Sequence, residues 1–284
     1  MSVFICVTCA AQYEGQETPS CCRICDDDRQ YVGENGSGIQ EWTTAGAVED
    51  SGHRNSITHV REGLHVIGLE PPLGIGQVAH LITRPDGNIL WDCLYLSQAS
   101  VPEIQALGGV SSVVISHPHF YTAAASWAQT FGCKVCCWRG AQVYVHAADA
   151  GWVTQPFPSL RQWTGDRMDL GPGLTVYRLG GHFPGSSVLL WDEQERAPEG
   201  VLFTGDTIMP TPRGATFMYS FPNMLPLPAR EVRRMRGTAE GLRFDQLRGS
   251  FAHRVIEENA REVVLRSAAL YIGLLDGTEA RIYF

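Results

Sequence analysis

Two histidines spaced i, i+2, His117 and His119, follow the run Val113-Val114-Ile115-Ser116. Three β-branched apolar residues there predict a strand, and a polar strand end is where an α/β fold displays its chemistry. Two imidazoles so placed can close on one metal ion, and imidazole suits Zn, Fe, Cu or Ni. Two later segments strengthen the metal reading: Leu179-Gly180-Gly181-His182-Phe183-Pro184-Gly185-Ser186 and Leu202-Phe203-Thr204-Gly205-Asp206-Thr207.

A second metal pattern lies near the N-terminus. Cys6-Val7-Thr8-Cys9 and Cys22-Arg23-Ile24-Cys25 are two Cys-x-x-Cys knuckles separated by twelve residues. Four thiolates in tetrahedral geometry describe a closed structural zinc site. Reducing compartments discourage the disulfide alternative, and a thioredoxin-like redox site needs one Cys-x-x-Cys in a βαβ context. Cys21 stands beside Cys22 and is an alternative ligand with a longer spacer. A knuckle of roughly 25–30 residues has too little core to fold alone, so metal binding would supply its folding energy.

The His117/His119, His182 and Asp206 segments, in that order, resemble the metallo-β-lactamase fold superfamily from Gly63 to Leu275. The resemblance implies an α/β fold: a four-layer αββα sandwich of two mixed β-sheets with the metal at one edge. His117 and His119 match the first two histidines of the family's His-x-His-x-Asp-His motif, His182 its Gly-His turn, and Asp206 its Gly-Asp strand end. His253 stands where the family often has its last histidine; it is a weak further ligand, a general acid for the leaving group, or a surface residue. Where the motif continues Asp-His, this chain has Tyr121-Thr122. Zinc sites draw on Cys, His and carboxylate, so these two residues cripple the second metal position. The resemblance therefore implies a mononuclear pocket site of His117, His119, His182 and Asp206 with a water as a further ligand. The combination also looks like a variant subgroup of the superfamily.

Around these residues the elements are legible. Gly63–Leu69 and Gln77–Thr83 read as strands, the second joined through Pro85-Asp86-Gly87-Asn88 to Ile89–Cys93; Asp-Gly is a good two-residue hairpin turn. A helix is expected from Ala123 to Phe131, ended by Gly132 at C′, then a buried strand over Lys134–Trp138. Strands at Leu174–Leu179 and Ser187–Trp191 flank the His182 turn, and Gly200–Thr204 leads to Asp206. Helices are expected at Pro228–Ala239, opened by a proline near N1, and at Glu257–Leu275. The expected organisation is a zinc-ribbon-like knuckle over residues 1–30, a loop-rich connection over 31–62, and the metallo-β-lactamase-like domain over 63–284. Cys133-Lys134-Val135-Cys136 repeats the knuckle spacing inside the helix-to-strand passage, where cysteines pack as small hydrophobes. His53, His59, His65, His80 and His146 lack partner spacing and are left out.

A length of 284 residues with 44% hydrophobic and 18% charged side chains suits one α/β domain with a small appendage. No apolar run approaches the ~18 residues of a membrane span, and the start lacks the basic n-region of a secretory signal, so a cytoplasmic location is expected. A net charge of −8 argues against nucleic acid as partner. The local stretch of Arg230, Arg233, Arg234, Arg236, Arg243 and Arg248 reads as a solvated helix face with carboxylate pairing. Phe217–Met224, dense in aromatic and methionine side chains, reads as a pocket wall, which implies a small-molecule substrate with an apolar or aromatic part; a core segment or a dimer contact are its alternatives.

The chemistry expected is that of one metal with an open position. Zinc lowers the pKa of its water from 15.7 to about 7, so a metal-bound hydroxide becomes the nucleophile. Asp206 is the best remaining base. Tyr121 either donates to a developing oxyanion, a contact contributing ~3 kcal/mol, or fills the volume of the missing metal. The leading expectation is hydrolysis of a small-molecule ester, thioester or lactone. A non-hydrolytic ligand- or partner-binding protein on a degraded scaffold is an alternative. So is a mononuclear iron oxidoreductase, since histidines with a carboxylate and open positions also suit Fe(II).

Overall fold

The computed structural model describes residues 2–33, 37–132, 142–154, 156–192 and 200–278. The chain divides into two compact units, Met1–Trp163 and Thr164–Phe284.

The first unit opens with the ribbon. Strands β1 (Ser2–Cys6), β2 (Gln12–Gly15) and β3 (Trp42–Thr44) form a three-stranded sheet in the order β2-β1-β3. Thr44 then accepts from the Ala47 N–H with its hydroxyl and so caps helix α1 (Ala45–Asp50). Strands β4 (Ile57–Arg61), β5 (Leu64–Ile67), β6 (Ala79–Ile82) and β7 (Ile89–Trp91) follow as an antiparallel run. The stretch 31–62, expected to be loop-rich, thus holds β3, α1 and all of β4. Its polar composition hid them: Trp42-Thr43-Thr44 is a short strand built on β1 pairing, and α1 buries only Val48.

Helix α2 (Val101–Ala106), β8 (Ser112–Val114), helix α3 (Ala124–Phe131), β9 (Gln142–His146) and β10 (Leu160–Trp163) complete this unit. Its main sheet has seven strands in the order β10-β9-β8-β7-β6-β5-β4, with β7 to β10 parallel. Parallel strands buried on both faces read as continuous apolar runs, as Val113-Val114-Ile115 does. The core includes Leu81, Leu90, Val113 and Trp127, and the ribbon contributes Ile5 and Ala10 to it. Gly132 ends α3 as its C-cap residue, with φ of −86°, one position before the C′ expected. The expected strand Lys134–Trp138 and the Cys133/Cys136 pair lie outside the described residues.

The second unit begins with β11 (Arg167–Gly171), β12 (Leu174–Arg178), β13 (Ser187–Trp191) and β14 (Val201–Gly205), an antiparallel meander. Two small hairpins come next, β15 (Met209–Thr211) with β16 (Gly214–Thr216), and β17 (Met218–Ser220) with β18 (Leu225–Pro226). Helix α4 (Ala229–Glu240) leads to β19 (Gln246–Gly249), which joins β14 in parallel, and β20 (Val255–Ile256) closes the sheet before α5 (Ala260–Asp276). The order is β11-β12-β13-β14-β19-β20. α4 and α5 bury Val232, Met235, Val264 and Ala268 against Val188, Leu202 and Phe217. The arginines of α4 are paired: Arg233 with Asp276, Arg234 with Glu231 and Arg236 with Glu240. No helix among the described residues is long and apolar enough to cross a membrane.

Candidate metal centres

The four ribbon cysteines converge. The sulfurs of Cys6, Cys9, Cys22 and Cys25 all lie within 4.8 Å of one another, with Cys6–Cys25 at 3.8 Å and Cys9–Cys22 at 3.6 Å. Sulfurs held about 2.3 Å from one tetrahedral centre stand about 3.8 Å apart, so the cluster has the dimensions of a metal cage. All four residues are buried, whereas Cys21 is exposed and outside the cluster. Of the two neighbours, Cys22 is the one the cluster contains. Around the cage, Gln40 Nε2 donates to Cys6 Sγ at 3.3 Å while its Oε1 accepts from the Cys22 N–H. The Tyr13 hydroxyl lies 3.4 Å from Cys22 Sγ and accepts from the Arg23 N–H. Hydrogen bonds from Cys22, then Cys25 and Cys9, pull the Cys6 thiol far below its usual range. Hydrogen bonds within the same cluster bring the Cys22 thiol down to about 7 and push the Cys9 and Cys25 thiols up.

In the first unit, β8 delivers His117 and His119. His117 adopts extended backbone and caps a short 3₁₀ turn, Pro118–Ala123, in which proline takes the first position. α3 continues from that turn and is pinned where the Trp127 indole N–H donates to the Leu94 carbonyl at 2.7 Å. The two imidazoles meet edge to face with centroids 4.8 Å apart. Behind His117 runs a relay. Asp92 accepts from the Ser116 N–H at 2.7 Å and from its hydroxyl at 3.0 Å, and the same hydroxyl oxygen lies 2.7 Å from His117 Nδ1. The serine proton is committed to the carboxylate, so His117 must donate from Nδ1, which makes Nε2 the basic nitrogen. A metal-ligating histidine is oriented by its other nitrogen in this way.

In the second unit, the turn between β12 and β13 delivers His182. Gly180 and Gly181 have φ of +62° and +85°, and a Cβ on Gly181 would stand 2.2 Å from Met235 Cε. The turn is closed by Leu179 and Gly180 N–H groups on the Ser186 carbonyl and by Phe183 N–H on the Ser186 hydroxyl, each at 2.8 Å. Arg234 also donates to the Leu179 carbonyl. His182 Nδ1 lies 2.8 Å from the Tyr219 carbonyl. A carbonyl only accepts, so His182 carries its proton on Nδ1 and presents Nε2 as its basic nitrogen. That nitrogen faces Asp206 Oδ2 at 4.0 Å, a spacing two ligands of one ion can take. Asp206 follows Gly205, whose φ of +53° turns the chain out of β14 opposite Gly249 of β19.

Tyr121, Thr122 and His253, singled out in the sequence, are placed as follows. Tyr121 is buried in the core of the first unit, and burial, with Asp149 and Asp92 adding to it, pushes its phenol well above the usual range. Thr122 turns its hydroxyl to the ribbon and accepts from the Gln12 N–H at 3.0 Å. His253 is exposed, its ring 6.0 Å from that of Phe251. The aromatic segment is split: Phe217 is core, Phe221 lies 6.0 Å from the His182 ring, and Met224 is exposed at the hairpin tip. Sequence reading missed Asp92, Ser116 and the Tyr219 carbonyl. The polar Ser116 next to His117 was the one local signal.

Comparison with known proteins agrees with this geometry. Residues 73–224 match the family model described as the metallo-beta-lactamase superfamily. The chain is 39% identical over 281 residues to the uncharacterized protein YmaE of Bacillus subtilis (strain 168), covering 97% of this chain and 98% of that protein. Among solved structures, the mono-zinc form of the metallo-β-lactamase FIM-1 from Pseudomonas aeruginosa gives a TM-score of 0.57 at 14% identity, over 77% of this chain and 96% of that one. The structure of TMB-1 gives 0.55 at 11% identity, over 76% and 98%. At such identity these likenesses show the fold, which is the α/β metallo-β-lactamase fold expected from the sequence. With its family-model match and a relative aligned along nearly its whole length, the chain belongs to the metallo-β-lactamase superfamily.

Proposed function

We propose that the chain is a metal-dependent hydrolase of a small-molecule acyl bond, an ester, thioester or lactone, with one metal in its pocket and a structural zinc in its ribbon. The pocket ligands are those the sequence resemblance implies, His117, His119, His182 and Asp206. The observation that carries the reading is the shared state of His117 and His182: each has Nδ1 committed to a protein oxygen, at 2.7 and 2.8 Å, and Nε2 basic. Such oriented imidazoles bind a divalent ion without first losing a proton.

A bound zinc ion supplies a Lewis acid and an activated water. The chain's own residues do the rest. Asp206 orients that water and holds its proton on Oδ1 or Oδ2. Tyr121, a neutral phenol at neutral pH, and Thr122 occupy the positions of the family's second-metal ligands, and neither is a good zinc ligand; this favours a mononuclear pocket, a state that the FIM-1 structure also takes. Phe221 and Met224, near and beyond His182, offer an apolar contact for the substrate. Cysteines kept reduced to hold a metal fit a reducing, cytoplasmic compartment.

Metal content per chain by plasma mass spectrometry, on the wild type and on His182→Ala and Cys22→Ser, tests the assignment. Two zinc ions in the wild type and loss of one in each variant are expected, with chelator-sensitive turnover on nitrophenyl ester, thioester and lactone substrates. Iron in the pocket with oxygen uptake would replace the hydrolase by an oxidoreductase. Full metal with no turnover would replace it by a binding protein.

A further inference from the structure

The first cysteine knuckle and the turn that carries His119 are joined by a hydrogen bond. The Gln12 N–H donates to the Thr122 hydroxyl oxygen at 3.0 Å, across 110 residues of chain. Gln12 opens β2 just after Cys9, and the chain between them is tightly folded. The Ala10 N–H donates to the Cys6 carbonyl at 2.8 Å and the Cys6 N–H to the Ala11 carbonyl at 2.9 Å. Ala10 takes φ of +64° to close this fold, a conformation uncommon for a residue with a Cβ. Two cysteines of the cage therefore fix where Gln12 stands.

Thr122 is placed to transmit that constraint. It belongs to the turn Pro118–Ala123, and in a 3₁₀ turn residues three apart stand on one face. His119 and Thr122 are such a pair, so the residue gripped by the ribbon shares its face with a proposed ligand. Gln12 is buried, and removing its acceptor would strand an N–H away from water. A second tie runs beside the first. Arg23, between Cys22 and Cys25, sets its guanidinium 5.3 Å from the centre of the Trp152 ring. Trp152 packs against both the cysteine cluster and the core of the first unit. It ends a short 3₁₀ turn, Ala147–Trp152, that touches the turn Pro118–Ala123.

We propose that Thr122 is a positioning residue through which the loaded cysteine cage holds the turn of His119 ready for the pocket ion. With the cage closed, both knuckles are fixed. The knuckles fix Gln12 and Arg23, and these fix the two neighbouring turns on which the placing of His119 depends. Filling of the cage then raises the affinity of the pocket, and filling of the pocket raises that of the cage by the same factor. The inference rests on the metal reading of both sites and adds a dependence between them that neither ligand set requires.

Zinc affinity of the pocket, measured by chelator competition on full-length chains with the cage already loaded, tests the dependence. Thr122→Val, which keeps the shape and loses the acceptor, is expected to weaken the pocket about five-fold and to leave the cage ion in place. Thr122→Ser is expected to restore wild-type affinity. Cobalt(II) in the pocket, with zinc in the cage, reports ligand geometry. Its visible bands are expected to change in Thr122→Val and to return in Thr122→Ser, which a loss of overall stability alone would not produce. Cys22→Ser, which loses the cage, is expected to weaken the pocket about ten-fold or more. Should it not fold, Arg23→Ala keeps all four cysteines, loses the tie to Trp152, and is expected to weaken the pocket about three-fold. Equal pocket affinity in the wild type and Thr122→Val, failure of Thr122→Ser to restore it, unchanged cobalt bands, or full pocket affinity in the folded cage or Arg23 variant would each overturn this inference alone. A wild-type chain that holds the cage ion and no pocket ion would overturn the metal reading of the pocket and the inference with it.

Discussion

Asp92 accepts both hydrogens that Ser116 has to give, the amide at 2.7 Å and the hydroxyl at 3.0 Å. It does so from a left-handed backbone with φ of +61°, a conformation that Asn tolerates as well as Asp. Asp92→Asn therefore keeps the turn and loses the carboxylate that anchors the serine proton. Asp92→Asn and Ser116→Ala are each expected to lower pocket-metal affinity by about 10- to 100-fold. Chelator competition against the wild type measures this, and unchanged affinity would show that His117 is oriented by its packing alone.

The His182 turn has no room for a side chain at Gly181. With φ of +85° and a Cβ 2.2 Å from Met235 and 2.8 Å from Leu227, Gly181→Ala combines strain and overpacking. A loss of roughly 2–4 kcal/mol is expected in urea unfolding. A variant as stable as the wild type would mean that α4 yields at little cost.

The two neighbouring cysteines have opposite fates. Cys22 is buried in the cluster and Cys21 is exposed outside it. Cys22→Ser is expected to lose the ribbon metal and at least about 3 kcal/mol of stability, and Cys21→Ser to retain both. Equal behaviour of the two in metal content and thermal unfolding would remove Cys22 from the ligand set.

Tyr121 supplies a pH signature. Burial first, then Asp149 and Asp92, raise its folded pKa above the unfolded value. Its contribution is thus fully present below about pH 10 and lost as pH rises through the folded pKa. Tyr121→Phe is expected to match the wild type near pH 8 and to hold its stability better above about pH 10. Parallel curves from pH 8 to 11.5 would show that the phenol does not titrate with unfolding.

What could be read in the chain beforehand was what lies close together along it. His117 and His119 are two residues apart, each cysteine knuckle spans four, and Gly180-Gly181-His182 is one turn; local spacing carries such chemistry. The partners that orient these ligands are remote: Asp92 is 24 residues from Ser116, Tyr219 is 37 from His182, and Gln12 is 110 from Thr122. No local pattern encodes such pairs. Strands β10 and β11 were not anticipated because Arg161, Gln162, Arg167 and Asp169 break the apolar pattern on outer strands. The 217–224 segment looked uniform in composition, yet Phe217 is core and Met224 is surface, since a hairpin divides one run of residues between two environments.

Ile5 and Ala10 belong to the same core as Ile67, Leu81 and Leu90. Along the chain they precede these packing partners. A nascent chain thus displays its two cysteine knuckles before the main sheet exists to receive them. An ion captured early would set the ribbon's shape and give later strands a template on which to assemble.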